Sequence, residues 1–385
     1  MHELILKPGK EKSFINRHPW VFSGAVAKLP SRAASGDIVV VKAHSGEMLG
    51  LGFFDAVSQI VCRIFEFGGQ VFMPDRAYWQ QKLHQAMALR KVAVPMHSTN
   101  CYRLCHAEGD FLPGLVIDVY AQCAVVEMLI PGTVALEDVW KSILISMGFH
   151  QIFLKKQNLS GVKSVAWEGT PTAELMVTEL DLHYWVDIEN GQKTGFFLDQ
   201  RDNRALIQQY AHGRKVLNAF CYNGGFSLHA IKAGATHTDS VDVSAGAITL
   251  TNKNVLLNFG SSAQHKGIVA DCFEYLSQMT SDYDLIVLDP PAFAKKQGDV
   301  KNAARGYKEI NLKALRKIRQ GGVLFTFSCS QHIDAELFKK IIFGAAADAG
   351  RNVQILHHTT QPPDHPVSIY HPEGAYLKGL VLHVV

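Results

Sequence analysis

Val216-Leu217-Asn218-Ala219-Phe220-Cys221-Tyr222-Asn223-Gly224-Gly225-Phe226 is the stretch on which the reading of the fold turns. A short apolar strand runs into a polar, glycine-bearing loop, and a helical pattern resumes at Phe226. Gly224 and Gly225 let the backbone approach a ligand closely, and the following helix aims its N-terminal N–H groups at the same place. Downstream the same alternation repeats. Strands are expected at 215–219, 238–243, 267–270, 285–288 and 323–328, with helices near 226–233, 244–258, 302–319 and 334–348. Such alternation predicts a doubly wound α/β domain with a mostly parallel sheet, whose ligands bind beyond the carboxyl ends of the strands.

Three further strand ends carry an acid. Asp242 lies 24 residues after Asn218, where a carboxylate suits two ribose hydroxyls. Asp271 ends the third strand and suits an adenine amino group. Asp289 opens Asp289-Pro290-Pro291-Ala292-Phe293 after the fourth. Each alone is equally suited to capping a helix. Four ends in register point to a nucleoside-bearing ligand, and the absence of G-x-G-x-x-G spacing speaks against a dinucleotide.

Upstream the pattern changes. Residues 1–70 read as short strands (37–42, 48–54, 59–65) between glycine-rich turns, a small all-β barrel. Residues 71–180 read as an α+β domain, with a helix from Pro74-Asp75 to Val94-Pro95, a second over 134–147, and strands at 102–106, 115–119, 124–129 and 151–155. Nothing in it looks catalytic. Residues 163–180 form a looser connection. The third domain, 181–385, opens with a hairpin of 182–186 and 194–198 around Asn190-Gly191.

The 385 residues are 47% apolar and 19% charged, ordinary for globular domains. No apolar run approaches the ~18–20 residues that span a bilayer, and Met1-His2-Glu3-Leu4 shows no export pattern, so no membrane partner and a cytoplasmic location are expected. Seven scattered cysteines exclude a disulfide framework. Cys101, Cys105 and His106 lack a second ligand pair, so no metal is expected. The net charge of +3 hides two basic stretches: residues 1–32 carry +4 and residues 292–320 carry +7. Such patches suit a polyanion such as RNA.

The loop, Asp242, Asp271 and Asp-Pro-Pro-Ala-Phe resemble the ordered motifs of class I S-adenosylmethionine methyltransferases, with a Rossmann-like domain. Gly191-Gln192-Lys193-Thr194-Gly195-Phe196-Phe197-Leu198-Asp199-Gln200-Arg201, Arg305-Gly306-Tyr307-Lys308-Glu309-Ile310-Asn311 and Phe327-Ser328-Cys329-Ser330 are more specific. With Arg17-His18-Pro19-Trp20-Val21-Phe22-Ser23-Gly24 and Asp364-His365-Pro366, they resemble the bacterial 23S rRNA cytosine-5 methyltransferases of the large subunit methyltransferase I family. The resemblance spans the chain. It implies an N-terminal PUA domain (an RNA-binding module) and a middle α+β domain before the methyltransferase domain. It also implies S-adenosylmethionine as cofactor, held by Gln200, Asn218, Phe220, Gly224, Asp242, Asp271 and Asp289, and 23S rRNA as partner. Two positions depart from common patterns. Pro291 stands where many RNA cytosine-5 methyltransferases carry a second cysteine, which this family also lacks, and Phe111 replaces the first glycine of a Gly-Leu-Pro-Gly segment.

Methylation of cytosine carbon 5 needs a thiolate to add at carbon 6, an acid near ring nitrogen 3, and a base. Cys329 ends a buried strand and opens a polar turn. Position alone leaves it between nucleophile and small core residue, and the resemblance assigns the nucleophile. Asp289 is the candidate for the cytosine edge, and no general base stands out. Arg305 or Lys308 could favour the thiolate. Lys295, Lys296, Arg305 and Lys308 read as phosphate contacts, and Lys7, Lys10, Lys12 and Arg17 as a second such cluster. Phe293 and Tyr307 are the candidates for stacking on an unpaired base. A homodimer is the common arrangement to expect. The rivals are a guanine nitrogen methyltransferase, which needs no cysteine, and a non-catalytic RNA-binding assembly factor.

Overall fold

The computed structural model describes residues 1–155, 165–169, 174–189, 191–262 and 264–385. It divides into two compact units. The first comprises Met1–Leu175, Asp187–Gly195 and Pro363–Gly374; the second comprises Met176–Val186, Phe196–Pro362 and Ala375–Val385.

In the first unit, a six-stranded sheet runs in the order Trp20–Phe22, Ile60–Phe67, Met48–Phe54, Ile38–Lys42, His2–Leu6, Val26–Lys28. A five-stranded sheet, Val165–Glu168, Gln151–Leu154, Cys123–Met128, Leu115–Tyr120, Cys101–His106, follows with helices Arg76–Ala93 and Glu137–Ser146. Asp75 caps the longer helix by accepting from the Tyr78 N–H. The two sheets share a core: Val40, Leu51, Phe53 and Phe65 pack with Trp79, Leu83, Tyr102 and Trp140. The six-stranded sheet also has a core of its own, in which Leu4, Leu6, Val39, Val41, Val61 and Ile64 pack together. Phe111 takes the left-handed conformation (φ 58°, ψ 28°), which explains why a glycine would be at ease there.

The second unit is built on a seven-stranded sheet. Its strands are β1 (Lys215–Ala219), β2 (His237–Asp242), β3 (His265–Val269), β4 (Leu285–Leu288), β5 (Gly322–Ser328), β6 (Val353–Thr359) and β7 (Lys378–Val384). The order is β3-β2-β1-β4-β5-β7-β6. The first five are parallel, and β7 and β6 add antiparallel. Helices α1 (Gly225–Lys232), α2 (Ala245–Phe259), α3 (Cys272–Gln278), α4 (Val300–Lys317) and α5 (Ala335–Ala349) make the crossovers. Alternate residues feed opposite faces, the period-2 signature of a sheet covered on both sides. Leu217, Ile286, Leu288 and Leu324 join one core with Leu276, Ile310 and Phe338, while Val216, Val287, Phe325 and Phe327 join another with Phe226 and Ala230. The strand order reverses at β1 and β4, which puts the switch point at the glycine loop.

The expected hairpin is corrected. Residues 194–198 form no strand; Leu182–Asp187 pairs instead with Glu174–Glu179. The two residues between them, Leu180 (φ 50°) and Asp181 (φ 63°), are both left-handed, the geometry that fits the twist of a two-residue hairpin. Gly191 lies in an irregular segment, and Asn190 lies outside the described residues.

Candidate active site

The loop after β1 carries backbone strain. Phe220 (φ 61°), Tyr222 (φ 48°) and Gly224 (φ 83°) alternate through left-handed conformations, and non-glycine residues hold such angles only where their surroundings enforce them. The enforcing bonds are visible. The Cys221 N–H donates to the Val241 carbonyl at 3.1 Å and the Tyr222 N–H to Asp242 Oδ2 at 3.0 Å. Thr251 Oγ1 donates to the Tyr222 carbonyl at 2.8 Å and Asn254 Nδ2 to that of Asn223 at 3.0 Å. A Cβ on Gly224 would stand 2.6 Å from Thr251 Cγ2, and one on Gly225 would stand 2.5 Å from Arg204 Cδ. The loop therefore admits only glycine at both places.

Arg204 is held in turn. Its Nε and Nη2 donate to the two carboxylate oxygens of Glu179 at 2.7 and 2.6 Å, and Nη1 donates to the Phe197 carbonyl at 2.9 Å. Burial alone would raise the Glu179 carboxyl, but Arg204 and His229 outweigh it and hold it down at about 2. This buried pair fixes the Phe196–Arg204 segment against the start of α1.

The acids sit where the sequence puts them, with unequal freedom. Asp242 spends Oδ2 on Tyr222 and Oδ1 on the Ser244 N–H at 2.9 Å, so it shapes the loop that it adjoins. Asp271 is exposed and caps α3 by accepting from the Phe273 and Glu274 N–H groups, both through Oδ1, so the capping role is the one the structure displays. Asp289 leaves β4 beside β5, since Leu288 pairs with Thr326. Gln200 is 3% exposed; its Nε2 donates to Asp289 Oδ1 at 2.8 Å and its Oε1 accepts from Asn203 at 2.6 Å. Expected as a cofactor contact, Gln200 also orients Asp289 through these bonds.

Cys329 is the only one of the seven cysteines that is not buried. The turn that it opens is tied down on several sides. Ser330 Oγ accepts from the Ala294 N–H at 3.2 Å, linking the turn to the loop after β4, and meets the Tyr307 hydroxyl at 2.9 Å. Ser328 Oγ accepts from the Ser330 N–H at 3.3 Å. Tyr307 is completely buried, which removes it as a stacking surface; its ring packs on the half-buried Phe293 at 4.5 Å. Lys308 pairs with Asp348 at 2.7 Å, which joins α4 to α5. Lys295, Lys296 and Arg305 are exposed. In the first unit Lys10 and Lys12 are exposed, Lys7 donates to the Gly24 carbonyl at 3.0 Å, and Arg17 lies over the Phe67 and Tyr370 rings.

Sequence reasoning passed over the middle segment, where a polar cluster holds the Gly191–Gly195 motif. Thr194 Oγ1 donates to Asp118 Oδ2 at 2.6 Å and meets the Tyr120 hydroxyl at 2.8 Å, and Lys155 donates to the Gly191 carbonyl at 2.7 Å. The signal available was Asp118 inside an otherwise apolar strand, 115–120. Sequence reasoning also missed Lys378, whose Nζ donates to the Ser330 carbonyl at 2.6 Å.

The profile of the S-adenosylmethionine-dependent methyltransferase family matches residues 126–381, and that of the PUA-like domain matches residues 4–67. Ribosomal RNA large subunit methyltransferase I of Shewanella amazonensis is 40% identical over 98% of both chains. The enzyme of the same name from Pseudoalteromonas atlantica is 39% identical over 99% of both. The chain belongs to the ribosomal RNA large subunit methyltransferase I family. It is an S-adenosylmethionine-dependent methyltransferase. A Streptococcus mutans protein described as such a methyltransferase shares the fold end to end, with a TM-score of 0.85 at 23% identity over 100% of both chains. A methyltransferase solved with S-adenosylhomocysteine gives a TM-score of 0.87 at 23% identity, again over both whole chains. The residues here fit the family's cofactor. Asn218 Oδ1 and Asn223 Nδ2 are buried without a partner, an acceptor and a donor beside a cradle that a Cβ would fill. No helix among the described residues is long and apolar enough to cross a membrane.

Proposed function

We propose that this methyltransferase acts on carbon 5 of a cytosine in 23S rRNA, through a covalent adduct to Cys329. The observation that carries the reading is Cys329 itself: of seven cysteines it alone is not buried, and it leaves a strand end next to that of Asp289. The relatives' names supply the RNA, and the PUA-like match agrees with it.

The cofactor supplies a methyl group made electrophilic by a positively charged sulfur. Phe220, Gly224, Asp242 and Asp271 would hold it, with Asn218 behind the loop. Cys329 as thiolate adds to carbon 6 of the cytosine, and the 5,6 double bond gives way to an enamine. Asp289, steadied by Gln200, supplies the proton at ring nitrogen 3. Carbon 5 takes the methyl group and gives its proton to water, the thiolate leaves as the 5,6 double bond re-forms, and nitrogen 3 returns its proton to Asp289. Lys295 and Arg305 bind phosphates near the target, and Lys10 and Arg17 bind phosphates through the other unit; such contacts orient RNA without reading its sequence.

The test uses methyl-labelled cofactor and 23S rRNA from cells lacking this activity, digested to nucleosides. Label is expected in 5-methylcytidine with the wild type and is lost with Cys329→Ala, while cofactor binding by the variant is unchanged. Label in a methylguanosine that survives Cys329→Ala would overturn the reading.

A further inference from the structure

Lys378 opens β7, and the antiparallel register pairs it with Ser328, the residue before Cys329. It is 8% exposed. Burying an ammonium is costly unless its donors find acceptors. Here Nζ donates to the carbonyls of Ser330 at 2.6 Å and Ile333 at 2.5 Å, two acceptors in the turn that Cys329 opens. Among the described residues no carboxylate forms an ion pair with it, which is unusual for a buried lysine. Burial, the largest influence, pushes its ammonium down to about 8, while Cys329 first and Asp334 second act to restore the charge.

The other titratable groups around this turn are poor counterparts for a thiolate. On α4 the Tyr307 hydroxyl is engaged with Ser330, and burial pushes it up. Asp334 caps α5 by accepting from the Leu337 N–H at 2.7 Å, and Asp289 at the end of β4 accepts from Gln200. Neither carboxyl group can supply positive charge to a thiolate. His332 is exposed. On β6, His358 pairs with Leu380, two residues along β7, and Tyr376, just upstream of Lys378, donates to Asp199 at 2.6 Å.

We propose that Lys378 is a positioning residue for Cys329, fixing its turn through two carbonyls and supplying the buried positive charge that favours the thiolate. The inference deepens the proposed cytosine chemistry and rests on that reading for its purpose, but the coupling between the two side chains is testable without RNA.

The experiment follows alkylation of Cys329 by iodoacetamide in the full chain across pH, read by peptide mass spectrometry. In Lys378→Met the midpoint of the rate profile moves up by about one pH unit, so that the rate at pH 7 falls about tenfold. The plateau at alkaline pH, where every thiol is ionised, reports the accessibility set by the turn and is divided out, and Lys378→Arg restores most of the wild-type midpoint. A purely structural staple would alter accessibility, hence the plateau, and leave the midpoint in place; that result overturns the proposal. Should Lys378→Met fail to fold, the reciprocal measurement decides. Cys329→Ser, followed by lysine carbon NMR, lowers the pH at which Lys378 loses its proton, because the coupling acts equally in both directions. An unchanged Lys378 midpoint overturns the proposal. Neither readout depends on methyl transfer, so failure of the cytosine reading would appear separately, as methylation by Cys329→Ala.

Discussion

At the scale of the residue, buried charge decides most. Arg204 forms both halves of a bidentate pair with Glu179, lies over the Phe196 ring and sits under Gly225. Arg204→Met keeps the stem but leaves Glu179 uncompensated, and breaking such a pair costs about 3–5 kcal/mol. Denaturant unfolding is the measurement, and a loss under about 1 kcal/mol would contradict the role given to the pair. The pH sign follows from Glu179, whose folded carboxyl is depressed to about 2. Its contribution is complete above the unfolded value of about 4.3 and is lost as pH falls from there through about 2. Arg204→Met therefore flattens the acid limb of the stability profile. The places of Cys329 and Asp289 were legible in the sequence because each directly follows a strand. Gln200 and Lys378 were not: one reaches Asp289 across 89 residues, and the other meets the Cys329 turn through a strand pairing that no local pattern announces.

At the scale of the element, the glycine loop was readable because its chemistry is local: a strand, two glycines and a helix start are adjacent in the chain. The hairpin was not. Asn-Gly is a strong turn signal, and it drew the expected turn to residues 190–191, whereas Leu180-Asp181, with no glycine, makes the turn between Glu174–Glu179 and Leu182–Asp187. Pairing over six-residue strands with buried Val177, Leu182, Tyr184 and Val186 outweighs the unfavourable turn. Replacing Leu180 with Asn and Asp181 with Gly relieves two left-handed non-glycine residues. The double variant is expected to gain about 0.5–1 kcal/mol, seen as a melting point higher by a few degrees. An unchanged or lower melting point would mean that the Leu180 side chain contributes more than its backbone costs. The basic stretch at 292–320 shows the same limit of local reading. Lys308, Lys313 and Arg319 form ion pairs, and Lys317 donates to the carbonyls of Ser277 and Met279. About half of its charge is thus structural, and Lys295, Lys296, Lys301 and Arg305 remain exposed for a polyanion.

At the scale of the whole molecule, the chain forms two compact units built from interleaved segments. Residues 187–195 and 363–374 belong to the first unit, where Arg90 donates to Asp110 Oδ2 at 2.7 Å and to the Asp364 carbonyl at 2.8 Å, and the Arg103 N–H donates to Asp364 Oδ2 at 3.0 Å. The Asp-His-Pro motif was visible as a motif, but its place is set by arginines more than 260 residues upstream, beyond any periodicity. The α/β class of the second unit was legible throughout, because its parallel strands and crossover helices follow one another in the chain. Its two antiparallel additions, β6 and β7, were not, and β7 brings the lysine that holds the Cys329 turn. Under the proposed reading, Cys329 bonds covalently to the cytosine that it helps to methylate. The most direct test is a target RNA carrying 5-fluorocytosine, incubated with enzyme and S-adenosylmethionine. Fluorine cannot leave carbon 5 as a proton does, so release is blocked after methyl transfer. A denaturation-stable protein–RNA complex whose only crosslinked peptide contains Cys329 is expected, and none with Cys329→Ala. No complex, or one joined through another residue, from an enzyme that still makes 5-methylcytidine on normal RNA would contradict it.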